Sequence, residues 1–241
     1  MNDTIINFYQ TLFTFGDLSG LAEVIDVIPH VITPDMNERL AMEFTIEEVE
    51  VALKQMAPLK SPGLDGMPPL FYQNYWSLIG SDVTFPILHY LNSGVLSQSF
   101  CHFFITLIPK VKNPEYVTEF RPISLSNVLY RIFSKVLANR LKTIMPQLIS
   151  EHQSAFMSNC SISDNILVAF ETFHYMRNHN KGKIGFMALK LDMSKAYDKV
   201  EWSFMEKVLV KMGFQDRWVK LMMVCITTAS YSVLINEEPH V

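Results

Sequence analysis

The sequence is poor in cysteine and has no metal-binding spacing. Its three cysteines, Cys101, Cys160 and Cys225, lie far apart without a CxxC pair, which excludes a zinc framework and suits a reducing compartment. His174 and His179 miss the i,i+4 spacing that would place two metal ligands on one helix face. No apolar run reaches the ~18 residues of a membrane span. The amino terminus, MNDTIINFYQ, lacks lysine and arginine, so we expect no signal or transit peptide there.

Glycine and proline are scarce, nine and twelve of 241 residues, which excludes a collagen-like or low-complexity chain. Hydrophobic residues make up 49% and charged residues 18%, as in a folded protein of one large or two small domains. The net charge of −4 is uneven: residues 1–50 hold ten acids and one base, whereas residues 110–142 hold seven bases and two acids. A local basic surface can bind phosphates despite an acidic total, although a solvated helix face is the plainer explanation.

Local patterns predict a mainly helical first half. Residues 1–15 have the pattern of a short amphipathic helix, whereas the acidic residues 16–43 show none and are expected to be irregular. Thr45 and Glu48 form a capping box, so a helix should begin directly after Thr45. The other predicted elements of this half are a tight loop at 61–66 and helices at 69–79 and 82–92, the second ending at Gly94.

The second half combines strands and helices. Residues 102–109 and 120–125 are predicted strands of a hairpin, because a charged link containing proline joins them. Apolar residues from Val128 to Leu137 recur at helical spacing, and Arg131, Lys135 and Arg140 are predicted to lie off that stripe. The remaining predicted elements are helices at 163–177, at 203–213 with a capping box at Ser203–Glu206 and a C-cap at Gly213, and at 215–228, and strands at 186–191 and 231–235.

Asp192 stands directly after the predicted strand at 186–191. Alternation places Asp192 on one face of that strand, opposite the apolar face, together with Phe186, Ala188 and Lys190. A carboxylate at a strand end is a common ligand of Mg²⁺ in phosphoryl transfer, because hard cations prefer oxygen. A role as a cap of the following turn stays open. A phosphoaspartyl enzyme would want a second acid two residues on, where this chain has Ser194.

The block around Asp192 resembles the first catalytic motif of reverse transcriptases. Its sequence is similar to the form of that motif in LINE-type (non-LTR) retrotransposons and in plant-like copies of them. Further blocks follow the order of that family, from the capped helix at 45 to Asn236. The blocks are SPGLDGMP (61–68), LIPK (107–110), FRPISLSNVLYRIFSKVLANRL (120–141), ISEHQSAF (149–156), ISDNILVAFE (162–171) and ALKLDMSKAYDKVEW (188–202).

The resemblance implies an α/β (α+β) fold, a truncated reverse-transcriptase right hand. It implies helix-rich fingers with an antiparallel hairpin, followed by an incomplete palm sheet in which strands 185–191 and 231–235 pair or share a sheet. The corresponding domain expectations are an acidic amino-terminal segment at 1–43 and a partial reverse transcriptase domain at 44–241, with fingers at about 44–180 and palm from about 181.

The resemblance also implies roles for single residues. Asp192 corresponds to the first catalytic, metal-binding aspartate, and the backbone carbonyl of Met193 would ligate the same Mg²⁺ or Mn²⁺. Lys110 and Arg121 correspond to cations that hold the nucleoside triphosphate, as a point charge and a bidentate fork. Tyr197 corresponds to the aromatic residue that rejects a 2′-hydroxyl. The simpler alternatives are that Lys110 and Arg121 are solvated surface cations and that Tyr197 is an ordinary buried aromatic residue.

Nucleic-acid contacts are expected from the basic segment and from the first loop. The residues concerned are Arg131, Lys135, Arg140, Lys142, Asp65 and Gly66. Asp65 and Gly66 match the family's PG-x-DG loop, which we expect to be mainly structural. RNA template, DNA primer and deoxynucleoside triphosphates are the partners that the family implies, with no membrane partner.

Several positions depart from the family pattern. Asn159-Cys160 stands where a Gly-Arg pair is usual, and Asn236-Glu237 stands where Asn-Gly is usual. No Ala-Asp-Asp block occurs in the 241 residues, so the second and third palm carboxylates are absent from this sequence. We therefore expect a fragment of an RNA-directed DNA polymerase that is inactive alone. The alternatives are a non-catalytic module that binds RNA or primer-template, and a residual open reading frame without activity.

Overall fold

The computed structural model describes residues 2–14, 20–94, 101–150, 152–155, 157, 160–179, 185–193, 196–236 and 238–240. The first helices are α1 (Asn2–Leu12), α2 (Leu21–Asp26), α3 (Pro34–Ala41), α4 (Ile46–Lys54), α5 (Pro69–Asn74) and α6 (Trp76–Ser93). Then come β1 (His102–Pro109), a 3₁₀ turn (Val117–Glu119), β2 (Phe120–Leu125), α7 (Val128–Lys142), α8 (Met145–Leu148) and α9 (Ile162–Asn178). The last elements are α10 (Trp202–Met212), α11 (Asp216–Thr227), β3 (Ser230–Ile235) and β4 (Glu238–His240).

The chain divides into two compact units. The first unit comprises Met1–Arg140 together with Tyr197–Val241, and the second comprises Leu141–Ala196. The first unit contains a four-stranded sheet with the strand order β2-β1-β3-β4. This mixture of helices and a sheet confirms the predicted fold class. The predicted division into fingers and palm at residue 180 stays a prediction.

The sheet is built around β1. β1 pairs with β2 antiparallel, with Ile108 opposite Arg121, and pairs with β3 parallel, with Ile105 opposite Val233. One face of these strands is apolar, and Ile105, Val233 and Ile235 pack there against Tyr9 of α1. The predicted hairpin and the predicted last strand are therefore confirmed, because alternation of apolar residues toward one buried face is a local sequence signal.

The strand prediction at 186–191 is wrong. Residues 185–193 form neither strand nor helix, and their apolar side chains are exposed, Met187 to 87% and Leu191 to 81%. β3 pairs with β1 and β4 instead, so strands 186–191 and 231–235 do not share a sheet. A strand needs a neighbouring strand for its backbone hydrogen bonds, and an apolar run does not reveal whether one is available.

The described part of the acidic segment, residues 20–43, is more ordered than its composition predicted, because α2 and α3 lie within it. α3 begins at a Thr33–Pro34 cap and buries Met36 and Leu40. Asn37 fastens this helix to the turn between α10 and α11: its amide donates to the Gly213 carbonyl at 2.8 Å, and its carbonyl accepts from the Gln215 amide at 3.0 Å. The expectation of irregular structure is thus wrong for these residues.

Local capping signals predicted some helix ends correctly and one helix start wrongly. The Thr45–Glu48 capping box is present at α4, and Gly94 and Gly213 end their helices in the left-handed conformation with φ of 75° and 97°. The second predicted capping box, at Ser203–Glu206, is wrong, because α10 begins at Trp202 with Glu201 as its N-cap. Ser203 lies within the first turn of the helix, and its hydroxyl is buried. Asn236 adopts a φ of 53°, whereas Asn159 and Glu237 lie outside the described residues.

Candidate functional site

The β1–β2 hairpin presents Lys110 and Arg121 on one face. Arg121 lies opposite Ile108, and the Lys110 amide donates to the Glu119 carbonyl at 2.7 Å, which continues the ladder by one pair. Because opposed residues share a face and alternate residues return to it, both cations project on the Ile108 side. Both side chains are exposed. The hairpin can therefore offer two adjacent positive charges to one anion.

Hydrogen bonds within the hairpin loop hold Lys110 and the loop backbone in place. The Lys110 ammonium donates to the Thr118 carbonyl at 2.7 Å. The Glu119 carboxylate accepts from the amides of Tyr116, at 3.0 Å, and Glu115, at 2.7 Å. These two backbone hydrogen bonds hold the pKa of the Glu119 carboxyl below its usual value. The loop is thus tied together by its own backbone and side chains.

Tyr197 lies elsewhere in the first unit. It lines a cavity of about 860 Å³ between α1, the apolar face of the sheet and residues 197–202. Pro122 and Ser124 of β2 also line that cavity, and Arg121, which directly precedes Pro122 in sequence, points to the opposite face by alternation. The structure therefore brings Lys110 and Arg121 together but not Tyr197 with them.

Asp65 and Gly66 belong to a loop that docks on the start of α7. The Asp65 carboxylate accepts from the Met67 amide at 3.1 Å and from the Tyr72 hydroxyl at 3.2 Å. Burial of Tyr72, together with the charge of Asp65, raises the pKa of this tyrosine to about 12. Gly66 has a φ of 68°, a conformation that favours glycine. Both residues shape the loop, as expected.

Two further contacts hold the same loop against α7. The Leu64 amide donates to the Asn127 side-chain oxygen at 2.9 Å, and the Arg131 guanidinium donates to the Ser61 carbonyl at 2.7 Å. Arg131 also donates to the Ser126 hydroxyl at 2.9 Å. Burial lowers the pKa of Arg131, partly offset by the charge of Asp65. Arg131 therefore has a structural role that its position among basic residues did not reveal.

Arg140 is the most heavily engaged cation of α7. Its guanidinium forms a two-pronged ion pair with Glu48, at 2.6 and 2.7 Å, and lies 3.6 Å from the centre of the Phe44 ring. It also donates to three backbone carbonyls, those of Leu40, Met42 and Glu43. Only 10% of the side chain is exposed. The prediction that Arg140 lies off the buried stripe is wrong, because residue 140 continues the spacing of Phe133 and Val136.

The other cations of α7 share a different side of the helix. The 3.6-residue repeat places Arg131, Lys135 and Lys142 within a narrow sector, about opposite Arg140. Lys142 is exposed and Lys135 is half-buried. The cations of α7 thus divide into a buried anchor, Arg140, a partly buried Arg131 that holds the 61–66 loop, and a surface row of Lys135 and Lys142.

Asp192 and Met193 lie in the second unit. They follow one another in an irregular segment, and both side chains are exposed, Met193 to 76%. α9, in the same unit, begins with a capping box in which Ser161 accepts from the Ser163 amide and Asp164 accepts from the Ser161 amide. No residue of α9 is buried.

A family model for "Reverse transcriptase (RNA-dependent DNA polymerase)" matches residues 108–239, more than half of the chain and the part that carries Lys110, Arg121, Asp192 and Tyr197. The chain belongs to the reverse transcriptase family. The sequence-based prediction of a reverse transcriptase of the non-LTR retrotransposon type is confirmed, whereas its plant-like character stays a prediction.

Curated relatives of this reverse transcriptase chain include three transposon proteins. It is 29% identical to the "Transposon TX1 uncharacterized 149 kDa protein" of Xenopus laevis over 98% of the chain, but covers 18% of that protein. It is 25% identical to the "Probable RNA-directed DNA polymerase from transposon BS" of Drosophila melanogaster, over 80% of the chain and 21% of the relative. It is 24% identical to the "Retrovirus-related Pol polyprotein from type-1 retrotransposable element R2" of Popillia japonica, over 70% of the chain and 22% of the relative. The chain thus spans about a fifth of the length of these relatives.

Reverse transcriptases use divalent metal ions, and Mg²⁺ prefers six oxygen ligands in octahedral geometry. Asp192 and the Met193 carbonyl offer oxygen ligands of the right chemistry. Within the described parts of this reverse transcriptase chain, no three histidine, cysteine, aspartate or glutamate residues lie close enough together to hold a metal ion. These residues alone therefore do not form a complete metal site.

Among the described residues, no helix is long and apolar enough to cross a membrane.

Proposed function

We propose that the chain supplies the nucleotide-binding hairpin of an RNA-directed DNA polymerase of a non-LTR retrotransposon. Its substrates would be deoxynucleoside triphosphates, an RNA template and a DNA primer. The observation that supports the proposal is the hairpin register within the family match, because Lys110 and Arg121 lie on the same face of that hairpin. DNA synthesis itself is proposed for the longer polypeptide, since the chain spans only 18–22% of its relatives.

The proposed role of the hairpin is to bind and orient the triphosphate. Phosphoryl transfer requires positioning and charge stabilisation more than covalent chemistry from the protein. Arg121 would grip two phosphate oxygens with its planar fork, and Lys110 would add a point charge. Because Lys110 donates to the Thr118 carbonyl, binding would exchange that contact for a phosphate oxygen.

Asp192, Met193 and Tyr197 have proposed roles that rest on the family resemblance. Asp192 and the Met193 carbonyl would contribute ligands to a catalytic Mg²⁺, which would neutralise charge on the phosphates. Tyr197 would exclude a 2′-hydroxyl by its bulk. The side chains of Asp192 and Tyr197 are exposed, Tyr197 to 78%, so each is accessible to a ligand.

Arg121→Ala should weaken binding of a deoxynucleoside triphosphate to the chain by about tenfold. The reason is that a charge-assisted hydrogen-bonded contact contributes about 1.5–3 kcal/mol. The measurement is fluorescence anisotropy of a labelled deoxynucleoside triphosphate with Mg²⁺. Lys112→Ala is the matched control, because Lys112 is an exposed cation of the same hairpin loop and should bind like the native chain. Equal affinities of Arg121→Ala and Lys112→Ala would contradict the proposed hairpin site.

A non-catalytic RNA-binding module is the second candidate, and the surface row on α7 favours it. Binding through phosphates releases counterions, so affinity should fall steeply with salt. Lys142→Ala should reduce the slope of log K against log [salt] by about 0.7, the contribution of one contact to a single strand. The measurement is anisotropy of a labelled single-stranded RNA at several salt concentrations.

Lys220→Ala is the control for the RNA measurement, because Lys220 is an exposed lysine of α11 outside the basic segment. It should leave the slope unchanged. A chain that binds RNA in this way but does not bind nucleotides would favour the module over the polymerase. A chain that binds neither would favour a residual open reading frame.

A further inference from the structure

Helix α6 has one face in the core and another that is exposed and partly apolar. The core face holds Val83, Ile87 and Leu91, all buried. About opposite them, four residues recur at spacings of four, three and four, which places them on one line along the helix. These residues, here called the α6 stripe, are Leu78, Asp82, Phe85 and His89. All four are exposed, Leu78 to 74% and Phe85 to 77%. This spacing is typical of a helix that packs on another helix.

The order of polar and apolar groups along the α6 stripe is self-complementary. Asp82 and His89 lie seven residues apart, with Phe85 between them. An imidazole has an N–H to donate to a carboxylate in either of its protonation states. In a symmetric dimer, residue i of one copy faces residue j of the other, and j faces i. If Asp82 faces His89 of a second copy, the twofold axis therefore passes midway between them, beside Phe85.

The rings of Phe85 and His89 already contact each other within one chain. They are stacked, with centroids 6.4 Å apart and an interplanar angle of 15°. This contact restricts the His89 side chain before any partner arrives. A side chain that is ordered beforehand loses less conformational entropy on association, so the stripe is partly preorganised.

The composition of α6 argues against other classes of partner. The helix contains no lysine or arginine, and Asp82 is its one acidic residue. Nucleic acids and anionic membrane surfaces are bound mainly through lysine and arginine. An apolar surface that carries one acceptor and one donor, each placed to meet the other in a second copy, instead favours self-association.

We propose that the α6 stripe is the interface of a symmetric dimer, in which α6 packs antiparallel on α6 of a second copy of the chain. Phe85 would contact its counterpart at the twofold axis, and each Asp82 would accept from His89 of the other copy. An interface of one helix pair falls below ~1,200 Å² of buried surface, the size of weak, transient interfaces. Dimerisation should therefore appear at micromolar or higher concentrations. The inference does not rest on nucleotide or RNA binding.

The first measurement is sedimentation equilibrium of the full 241-residue chain over a range of concentrations at fixed pH. The native chain should show a monomer–dimer equilibrium, and Phe85→Ala should weaken it by about tenfold or more, because truncation of a central aromatic residue is costly. Phe173→Ala is the matched control, since Phe173 is 60% exposed on a different helix, α9. It should dimerise like the native chain.

The second measurement exchanges the polar groups of the stripe. Asp82→His and His89→Asp each remove both carboxylate–imidazole pairs, so each variant alone should dimerise about tenfold more weakly. An equimolar mixture of the two variants restores both pairs between unlike chains and should dimerise about as tightly as the native chain. A variant that had lost its fold would not be restored by mixing.

A native chain that remains monomeric at millimolar concentration would overturn the inference. Equal dimerisation of Phe85→Ala and Phe173→Ala, or a mixture of Asp82→His and His89→Asp that associates no better than either variant alone, would also overturn it. None of these measurements involves a nucleotide, so their outcome is independent of the Arg121 test.

Discussion

Replacing Arg140 with alanine is expected to lower the free energy of unfolding by about 3 kcal/mol. The substitution removes the ion pair with Glu48 and leaves a half-buried carboxylate without its cation. It also removes the donors to the carbonyls of Leu40 and Glu43 and the cation over the Phe44 ring. The measurement is urea unfolding of the chain followed by circular dichroism.

Lys142→Ala is the matched control, because Lys142 ends the same helix but is exposed. It should change the unfolding free energy by less than about 0.5 kcal/mol. Arg140→Lys should fall between the two, since lysine keeps the charge but loses the planar fork. Similar unfolding midpoints for Arg140→Ala and Lys142→Ala would contradict an anchoring role for Arg140.

The same ion pair should make stability depend on pH. Burial alone would raise the pKa of the Glu48 carboxyl, but hydrogen bonds from Arg140 and the Thr45 amide, with the charge of Arg140, hold it below its usual 4.5. A carboxyl whose pKa is lower in the folded state stabilises the fold fully at pH values above its unfolded-state pKa. That stabilisation is lost as the pH falls through the folded-state pKa. The difference between native chain and Glu48→Gln should therefore shrink below about pH 4.5.

Gly63→Ala is expected to cost about 2–3 kcal/mol of stability. A Cβ atom at residue 63 would lie 2.2 Å from the Asn127 side-chain oxygen and 2.6 Å from the Asn127 backbone nitrogen and Cα. Because two of these atoms are backbone, the loop would have to move away from α7. The move would break the hydrogen bond from the Leu64 amide to Asn127. Urea unfolding measures the cost.

Two other glycines separate crowding from backbone conformation. Gly185→Ala places its Cβ atom in open space and should be close to neutral. Gly66→Ala also meets no atom within 4 Å, but φ is 68° there, so we expect a cost of about 1–2 kcal/mol. A cost for Gly63→Ala no larger than that for Gly185→Ala would contradict the close approach of the loop to α7.

Elements with local sequence signals could be predicted. The hairpin follows from two apolar runs and a charged link, and α4 follows from a capping box within four residues. Lys110 and Arg121 could be placed on one face of the hairpin for the same reason, since pairing and alternation fix their side. The Asp65–Gly66 loop could be predicted to be structural, because its turn chemistry is written in adjacent residues.

Features that depend on distant partners could not be predicted. Phe186–Leu191 has the composition of a strand, but the sheet positions beside β1 belong to β2 and β3. Thr33–Pro34 is a local helix-start signal that the sequence analysis missed, because Thr33 accepts from the Met36 amide and Pro34 stands at the first helical position. The contact of Asn37 with the α10–α11 turn, 176 residues away, is what the local sequence could not reveal. Arg140 is different, because its spacing from Phe133 and Val136 already placed it on the buried side. Its partner Glu48, 92 residues away, is what makes burial of that charge tolerable.

The most direct test of the reverse-transcriptase account is an amide NMR titration of the chain with a deoxynucleoside triphosphate and Mg²⁺. The account predicts that the largest shift changes fall on the amides around the Ile108–Arg121 pair of the hairpin, those of Ile108, Lys110, Glu119, Phe120, Arg121 and Ile123. It also predicts that these changes vanish in Arg121→Ala. Shift changes confined to other elements, or unchanged in Arg121→Ala, would contradict the assignment of the hairpin as the nucleotide-binding element.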